Sequence, residues 1–154
     1  MPVLTPQERI GTTLDGKYRL ERILGEGGFG VVFAATHVGL NRPVAIKMLH
    51  AGLSDQAEVV SRFLREARAT SRLEHPNVID VRDVVTSKEN GIYMVIELLE
   101  GEPLSSLLER KQVLDLDETM AYLEPIVDAL CAAHEAGIVH RDIKPDNVFL
   151  SRTP

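Results

Sequence analysis

An α+β fold is the expectation: an antiparallel sheet built by residues 18–97, followed by helices over residues 98–154. Two features of the front part predict the sheet. Short runs rich in β-branched and aromatic residues recur there, and glycines or polar turns separate them. The third observation is a change of period, because longer stretches with apolar residues three and four apart follow the third and fifth of these runs. A chain of 154 residues suffices for one compact domain with a real core, or for two small lobes.

The charge balance narrows the function. The formal net charge is −6, with 17 Lys+Arg against 23 Asp+Glu, so the basic footprint of a nucleic-acid binder is missing and no nucleic-acid partner is expected. Cys131 is the single cysteine, which excludes an intramolecular disulfide, and no Cys/His cluster has zinc spacing. No apolar run approaches the ~18 residues of a membrane helix, and the first residues lack a signal-peptide core. A cytoplasmic protein with no membrane segment in this chain is the expectation.

Residues 1–17 mix prolines, glycines and polar residues without periodicity and read as an extended leader. Strands are expected at 18–24 and 31–36, joined by a glycine cluster into a hairpin. A third strand contains Val44-Ala45-Ile46-Lys47. Residues 55–73 read as a helix, with Val59, Phe63, Ala67 and Thr70 at spacings of 4, 4 and 3 on one inward stripe and Glu66 beside it. Pro76 of His75-Pro76-Asn77 stops this helix, since it has no N–H and biases His75 away from the helical region. Strands at 78–85 and 92–97 flank a polar turn at 86–91. A short helix over 104–110 and a long one over 117–136, capped by Gly137, complete the pattern, with a last strand at 148–150. In the long helix Asp117, Glu124, Asp128 and Glu135 fall 7, 4 and 7 residues apart, leaving mostly apolar or small positions. Such a helix should be buried on most sides, with Cys131 as a core residue rather than a nucleophile, and Pro125 should kink it.

Chemistry gathers in three places. Gly25-Glu26-Gly27-Gly28-Phe29-Gly30-Val31-Val32 has the form G-x-G-x-x-G-x-V. These glycines would suit a dinucleotide-binding helix or a loose hairpin equally, but Val31-Val32-Phe33 starts a strand and not a helix, which removes the first option. Lys47 ends an apolar strand; in isolation it would be a solvated strand-end lysine, and Glu66 an exposed residue paired with Arg62 one turn earlier. The densest group is Ile138-Val139-His140-Arg141-Asp142-Ile143-Lys144-Pro145-Asp146-Asn147. Here Asp142 can accept the proton of an attacking hydroxyl, Lys144 can hold negative charge on a transferring phosphoryl group, and Asn147 can ligate Mg²⁺.

Together these stretches resemble the eukaryotic-type (Hanks-type) serine/threonine protein kinases over residues 18–150, with Ile143 where Leu is more usual. The resemblance implies a protein-kinase-like fold, with residues 18–97 as the antiparallel N-lobe sheet with its helix C, and residues 98–154 as the hinge and the incomplete beginning of the helical C-lobe. It implies ATP and Mg²⁺ as cofactors and a protein substrate with a Ser/Thr acceptor. Gly25, Gly27 and Gly30 would let backbone N–H groups approach the triphosphate, and Val32 and Ala45 would lie against the adenine. Lys47, paired with Glu66, would hold the α- and β-phosphates. The adenine edge would be read by the Glu97 carbonyl and the Leu99 N–H, with Ile96 behind them. Many relatives place an acidic ribose contact just past Gly101; this chain has Glu102-Pro103 there, and the resemblance leaves Glu102 to serve from one position earlier. Lys144-Pro145 follows the serine/threonine pattern, the style of the catalytic loop is that of bacterial members, and Arg141 implies control by activation-loop phosphorylation.

No Asp-Phe-Gly, activation loop or Ala-Pro-Glu occurs within the 154 residues. The chain alone is therefore expected to be inactive or nearly so, and to expose apolar surface along residues 119–136. Two classes stand: the front part of an ATP-dependent Ser/Thr kinase, which intact Lys47, Glu66, Asp142 and Asn147 favour, and a non-catalytic nucleotide-binding or scaffold protein on a truncated kinase fold. A small-molecule phosphotransferase is a more distant third.

Overall fold

A computed structural model describes residues 3–152, so the outermost two residues at each end, part of the expected leader and of the rear segment, lie outside the described residues. The chain divides into two units: one runs from the N-terminus to Arg72 and resumes at Asp80–Leu98, and the other takes Leu73–Ile79 and everything from Leu99 onward.

The first unit is a six-stranded antiparallel sheet with one long helix. Its strands are β1 (Thr13–Leu14), β2 (Tyr18–Glu26), β3 (Gly30–His37), β4 (Arg42–Leu49), β5 (Val81–Ser87) and β6 (Gly91–Ile96), in the spatial order β1-β2-β3-β4-β6-β5. Cross-strand partners share a face, so the register assigns each side chain. Val31, Phe33, Ala35, Val44, Ile46, Met48, Tyr93 and Val95 belong to one core cluster, completed by Leu14, Tyr18 and Leu20. The opposite face carries the aligned sets Val32–Lys47–Met94 and Ala34–Ala45–Ile96. Burial of Ala34, Ala45, Met94 and Ile96 as well explains why β3, β4 and β6 read as near-continuous apolar runs rather than clean alternations.

Residues 6–14 depart from the expected extended leader. Pro6–Arg9 form a single helical turn, α1, closed by a capping box in which Thr5 Oγ1 accepts the Glu8 N–H and Glu8 Oε2 accepts the Thr5 N–H. β1 then pairs with β2, and Leu14 is buried in the core. Asp15, in the left-handed region at φ 46°, accepts hydrogen bonds from Ser87 Oγ (2.7 Å), Asn90 Nδ2 (3.2 Å) and Tyr93 Oη (2.5 Å). The sheet therefore begins before Tyr18, and the Asp15 turn ties it to the β5–β6 hairpin.

Desolvation raises the Asp15 pKa, but the hydrogen bonds from Tyr93, Ser87 and Asn90, with Lys17 nearby, outweigh it and hold the carboxyl below the usual aspartate value. The stability linked to this group is full above about pH 4, the unfolded-state range, and is lost as pH falls through the lower folded value. Asp15→Ala leaves the hydroxyl of fully buried Tyr93 without its acceptor. A loss of about 1–3 kcal/mol is expected in urea unfolding at pH 7, and the mutant should lose less stability than the wild type on acidification.

Helix α2 (Ala57–Ser71) lies within the expected range and buries Phe63 and Ala67 of the anticipated stripe. It ends before the His75-Pro76 stop, and β5 starts at Val81, three residues later than expected.

In the second unit, β7 (Gly101–Pro103) pairs antiparallel with β8 (Phe149–Ser151). Helix α3 (Leu104–Lys111) follows β7, and α4 (Leu116–Glu135) opens with an Asp115/Glu118 capping box. It closes as the glycine predicts: Gly137 takes φ 75°, its N–H reaches the His134 carbonyl (2.9 Å), and the Ile138 N–H reaches Ala133 (2.8 Å). The helix runs through Pro125 without interruption. Only Ala133 of α4 is buried, and Leu116, Met120, Leu123 and Val127 form an exposed apolar stripe: the burial that the helix's composition asks for is not met within this chain, and the exposure expected along residues 119–136 is what the structure shows. Cys131 is exposed too, not a core residue. His75 Nδ1 accepts the Asn77 N–H (3.1 Å), which places the proton on Nε2 for its 3.0 Å bond to Asp128 of α4. His75 thus pins its loop to the helix. Among the described residues no helix is long and apolar enough to cross a membrane.

Candidate functional site

Each unit carries one group of the candidate residues. In the first, β2 and β3 present the glycine turn. The Gly27 N–H donates to the Gly30 carbonyl (2.9 Å), closing the tip. A Cβ built at Gly25, Gly27 or Gly28 would meet nothing within 4 Å, so open space flanks the turn. Gly30 is different: its Cβ would stand 2.0 Å from the Met48 carbonyl oxygen, so glycine is demanded there by the approach of β4. Gly30→Ala is expected to lower stability by about 1–3 kcal/mol through overpacking, whereas Gly27→Ala should leave the thermal midpoint nearly unchanged; paired melting curves check this.

Lys47 Nζ lies 3.2 Å from Glu66 Oε1, joining β4 to α2. Of the two arrangements open to Glu66, the structure adopts the pair with Lys47. Arg62 instead stands 5.8 Å over the ring of Phe29 at the tip of the glycine turn. With side chains 37% and 57% exposed, the Lys47–Glu66 pair contributes only about 0–1 kcal/mol to folding. Its consequence is positional: the ammonium is held at Glu66, on the sheet face that Lys47 shares with its register partner Val32. Half-buried Val32 and buried Ala45 supply the apolar part of that surface.

Residue Glu97 follows β6. Its N–H donates to the Asp80 carbonyl (3.0 Å) and its side chain accepts the Asp80 N–H (2.8 Å), which fixes the end of the strand. Leu99 begins the second unit's main segment. Glu102 is held by Arg110 through two hydrogen bonds of 2.8 and 2.9 Å, and these hold its carboxyl below the usual glutamate range. Both its oxygens are therefore already engaged, which sets it apart from a free ribose contact.

The second group is a turn between α4 and β8. Arg141 occupies the left-handed region at φ 66°, and the Asp142 N–H donates to His140 Nδ1 (3.2 Å). A 3₁₀ turn, Pro145–Asn147, brings the Asn147 amide back onto Asp142, where Nδ2 donates to the carbonyl (2.8 Å) and to Oδ2 (3.1 Å). Lys144 Nζ stands 3.7 Å from the same Oδ2. With its nitrogen turned onto Asp142, Asn147 has its amide oxygen left as a hard donor. That donor set suits a small hard cation. No group of three His, Cys, Asp or Glu among the described residues could hold a metal unaided, so such an ion would need phosphate and water oxygens to complete its shell.

Sequence reasoning missed His50, to which it assigned no chemistry. Its Nε2 is 2.8 Å from the Gly27 carbonyl and its N–H donates to the Phe29 carbonyl (3.1 Å). A histidine three residues beyond Lys47 carries no sequence signal for this contact.

The pattern that describes the protein kinase domain matches residues 18–154. The serine/threonine-protein kinase PknA of Mycobacterium tuberculosis is 44% identical over 149 residues, covering 94% of this chain and 35% of that protein. Serine/threonine-protein kinase pkn3 of Myxococcus xanthus is 38% identical over 143 residues (93% of this chain, 26% of that one). The crystal structure of the Mycobacterium tuberculosis PknI kinase domain has a TM-score of 0.77 at 29% identity, covering 92% of this chain and 58% of that one. The chain thus spans about a third of the length of PknA and about a quarter of that of pkn3.

Proposed function

The chain belongs to the protein kinase domain family, and from that premise we propose that the protein transfers the γ-phosphoryl group of ATP to a Ser or Thr hydroxyl of a protein substrate. Members of this family use ATP and a divalent metal ion; here the ion is Mg²⁺ and the kinase part is cytoplasmic.

Each residue then has a task. Gly25, Gly27 and Gly30 shape the turn that follows the phosphates, Lys47 held by Glu66 neutralises the α- and β-phosphates, and Val32 and Ala45 lie against the adenine. The Glu97 carbonyl and Leu99 N–H read the adenine edge. Asp142 accepts the proton as the substrate oxygen bonds to the γ-phosphorus and the bond to the β-bridging oxygen breaks, releasing ADP. Lys144 offsets charge on the transferring group, and Asn147 offers its amide oxygen to the metal. When bound, Mg²⁺ supplies charge neutralisation on the phosphate oxygens.

The observation that carries this reading is the Lys47–Glu66 pair, 19 residues apart in sequence and of little value to folding. Calorimetric titration of this chain with MgATP tests it. Saturable binding at one site is expected, and heat no greater than dilution at millimolar nucleotide would overturn it.

A further inference from the structure

We propose that His50 is a positioning residue that locks the Gly27–Gly28 peptide in one orientation, so that the Gly28 N–H is presented to a nucleotide phosphate. This rests on the phosphate-binding reading of the glycine turn.

A peptide flanked by two glycines turns over more easily than any other, because neither side carries a Cβ. In one orientation it offers an N–H to an anion; in the other, a carbonyl oxygen that repels it. The peptide bonds here are trans, so the Gly27 carbonyl and the Gly28 N–H point in opposite directions across one plane. His50 Nε2 lies 2.8 Å from that carbonyl. Since a carbonyl only accepts, Nε2 carries the proton, and the bond survives in both the neutral Nε2–H tautomer and the imidazolium. Holding the oxygen on the His50 side aims the Gly28 N–H away from it. The same residue's backbone N–H holds the Phe29 carbonyl at 3.1 Å, so one residue at the end of β4 fixes two of the tip's carbonyls. Arg62 over the Phe29 ring ties the tip to α2, the helix that supplies Glu66. Among the described residues no backbone carbonyl accepts the Gly28 N–H, which leaves it for a ligand.

Dissociation constants of MgATP and of adenosine, which lacks phosphates, are measured by calorimetry for the wild-type chain, His50→Ala and His50→Gln. His50→Ala should weaken MgATP about three- to tenfold, the value of one lost hydrogen bond, with adenosine affinity unchanged. His50→Gln, whose amide N–H can reach the same carbonyl, should restore most of the loss. An unchanged MgATP-to-adenosine ratio in His50→Ala, or an equal loss in His50→Ala and His50→Gln, would overturn the lock while leaving nucleotide binding standing. A wild-type chain that binds adenosine as tightly as MgATP would instead overturn the phosphate-binding reading, and the lock with it.

Discussion

Asp142→Asn is expected to slow phosphoryl transfer by the product of the intact gene by about 10²–10⁴-fold, the contribution of a well-placed general base. The substitution is nearly isosteric. An amide oxygen at Oδ2 still accepts the Asn147 Nδ2–H, and the backbone bonds from Asp142 N–H to His140 and from Asn147 to the Asp142 carbonyl are untouched. The turn should therefore keep its shape. What disappears is the ability to take a proton, together with the attraction of Lys144 at 3.7 Å. A fall in kcat with little change in the KM for ATP is the expected signature. Undiminished kcat would remove Asp142 from the chemistry.

Lys47→Met should lower transfer by about 10²–10³-fold, the cost of removing one fixed charge-stabilising donor. Methionine keeps the apolar stem of the lysine, and the exposed ion pair it breaks is worth about 0–1 kcal/mol, so the thermal midpoint should move little. A large loss of function at nearly constant stability separates a phosphate contact from a structural role. Should activity survive while the midpoint falls by many degrees, Lys47 would be a structural residue only.

Much of the sheet was legible because its strands are bounded by turns that declare themselves, such as the glycines between β2 and β3 and the polar residues between β5 and β6. Helix α2 was legible through the spacing of Phe63 and Ala67. The segment before Tyr18 was not, since a four-residue helix and a two-residue strand are too short to show a period. Local signals were nonetheless present there: Thr5 and Glu8 at capping-box spacing, and the Asp15-Gly16 turn.

Helix α4 was legible in its exposed apolar surface but not in the place of Cys131, which its composition put in a core. Apolar content on most of its circumference reads as burial, yet burial depends on what packs against it, and Met120, Leu123 and Val127 stay exposed along with Cys131. Composition states what a surface prefers, not whether it is covered. The reactive residues divide similarly. Asp142, Lys144 and Asn147 sit close enough in sequence for their offsets to speak. His50 acts on a backbone carbonyl 23 residues away, and only the pairing of β3 with β4 brings it there.

The central claim is tested most directly by supplying the product of the intact gene with ATP labelled on its γ-phosphorus, Mg²⁺ and a protein acceptor, then hydrolysing the acceptor and identifying the labelled amino acid. Label in phosphoserine or phosphothreonine, lost in Asp142→Asn, is the predicted result. Saturable MgATP binding with no label transferred would contradict it and leave a nucleotide-binding protein without catalysis.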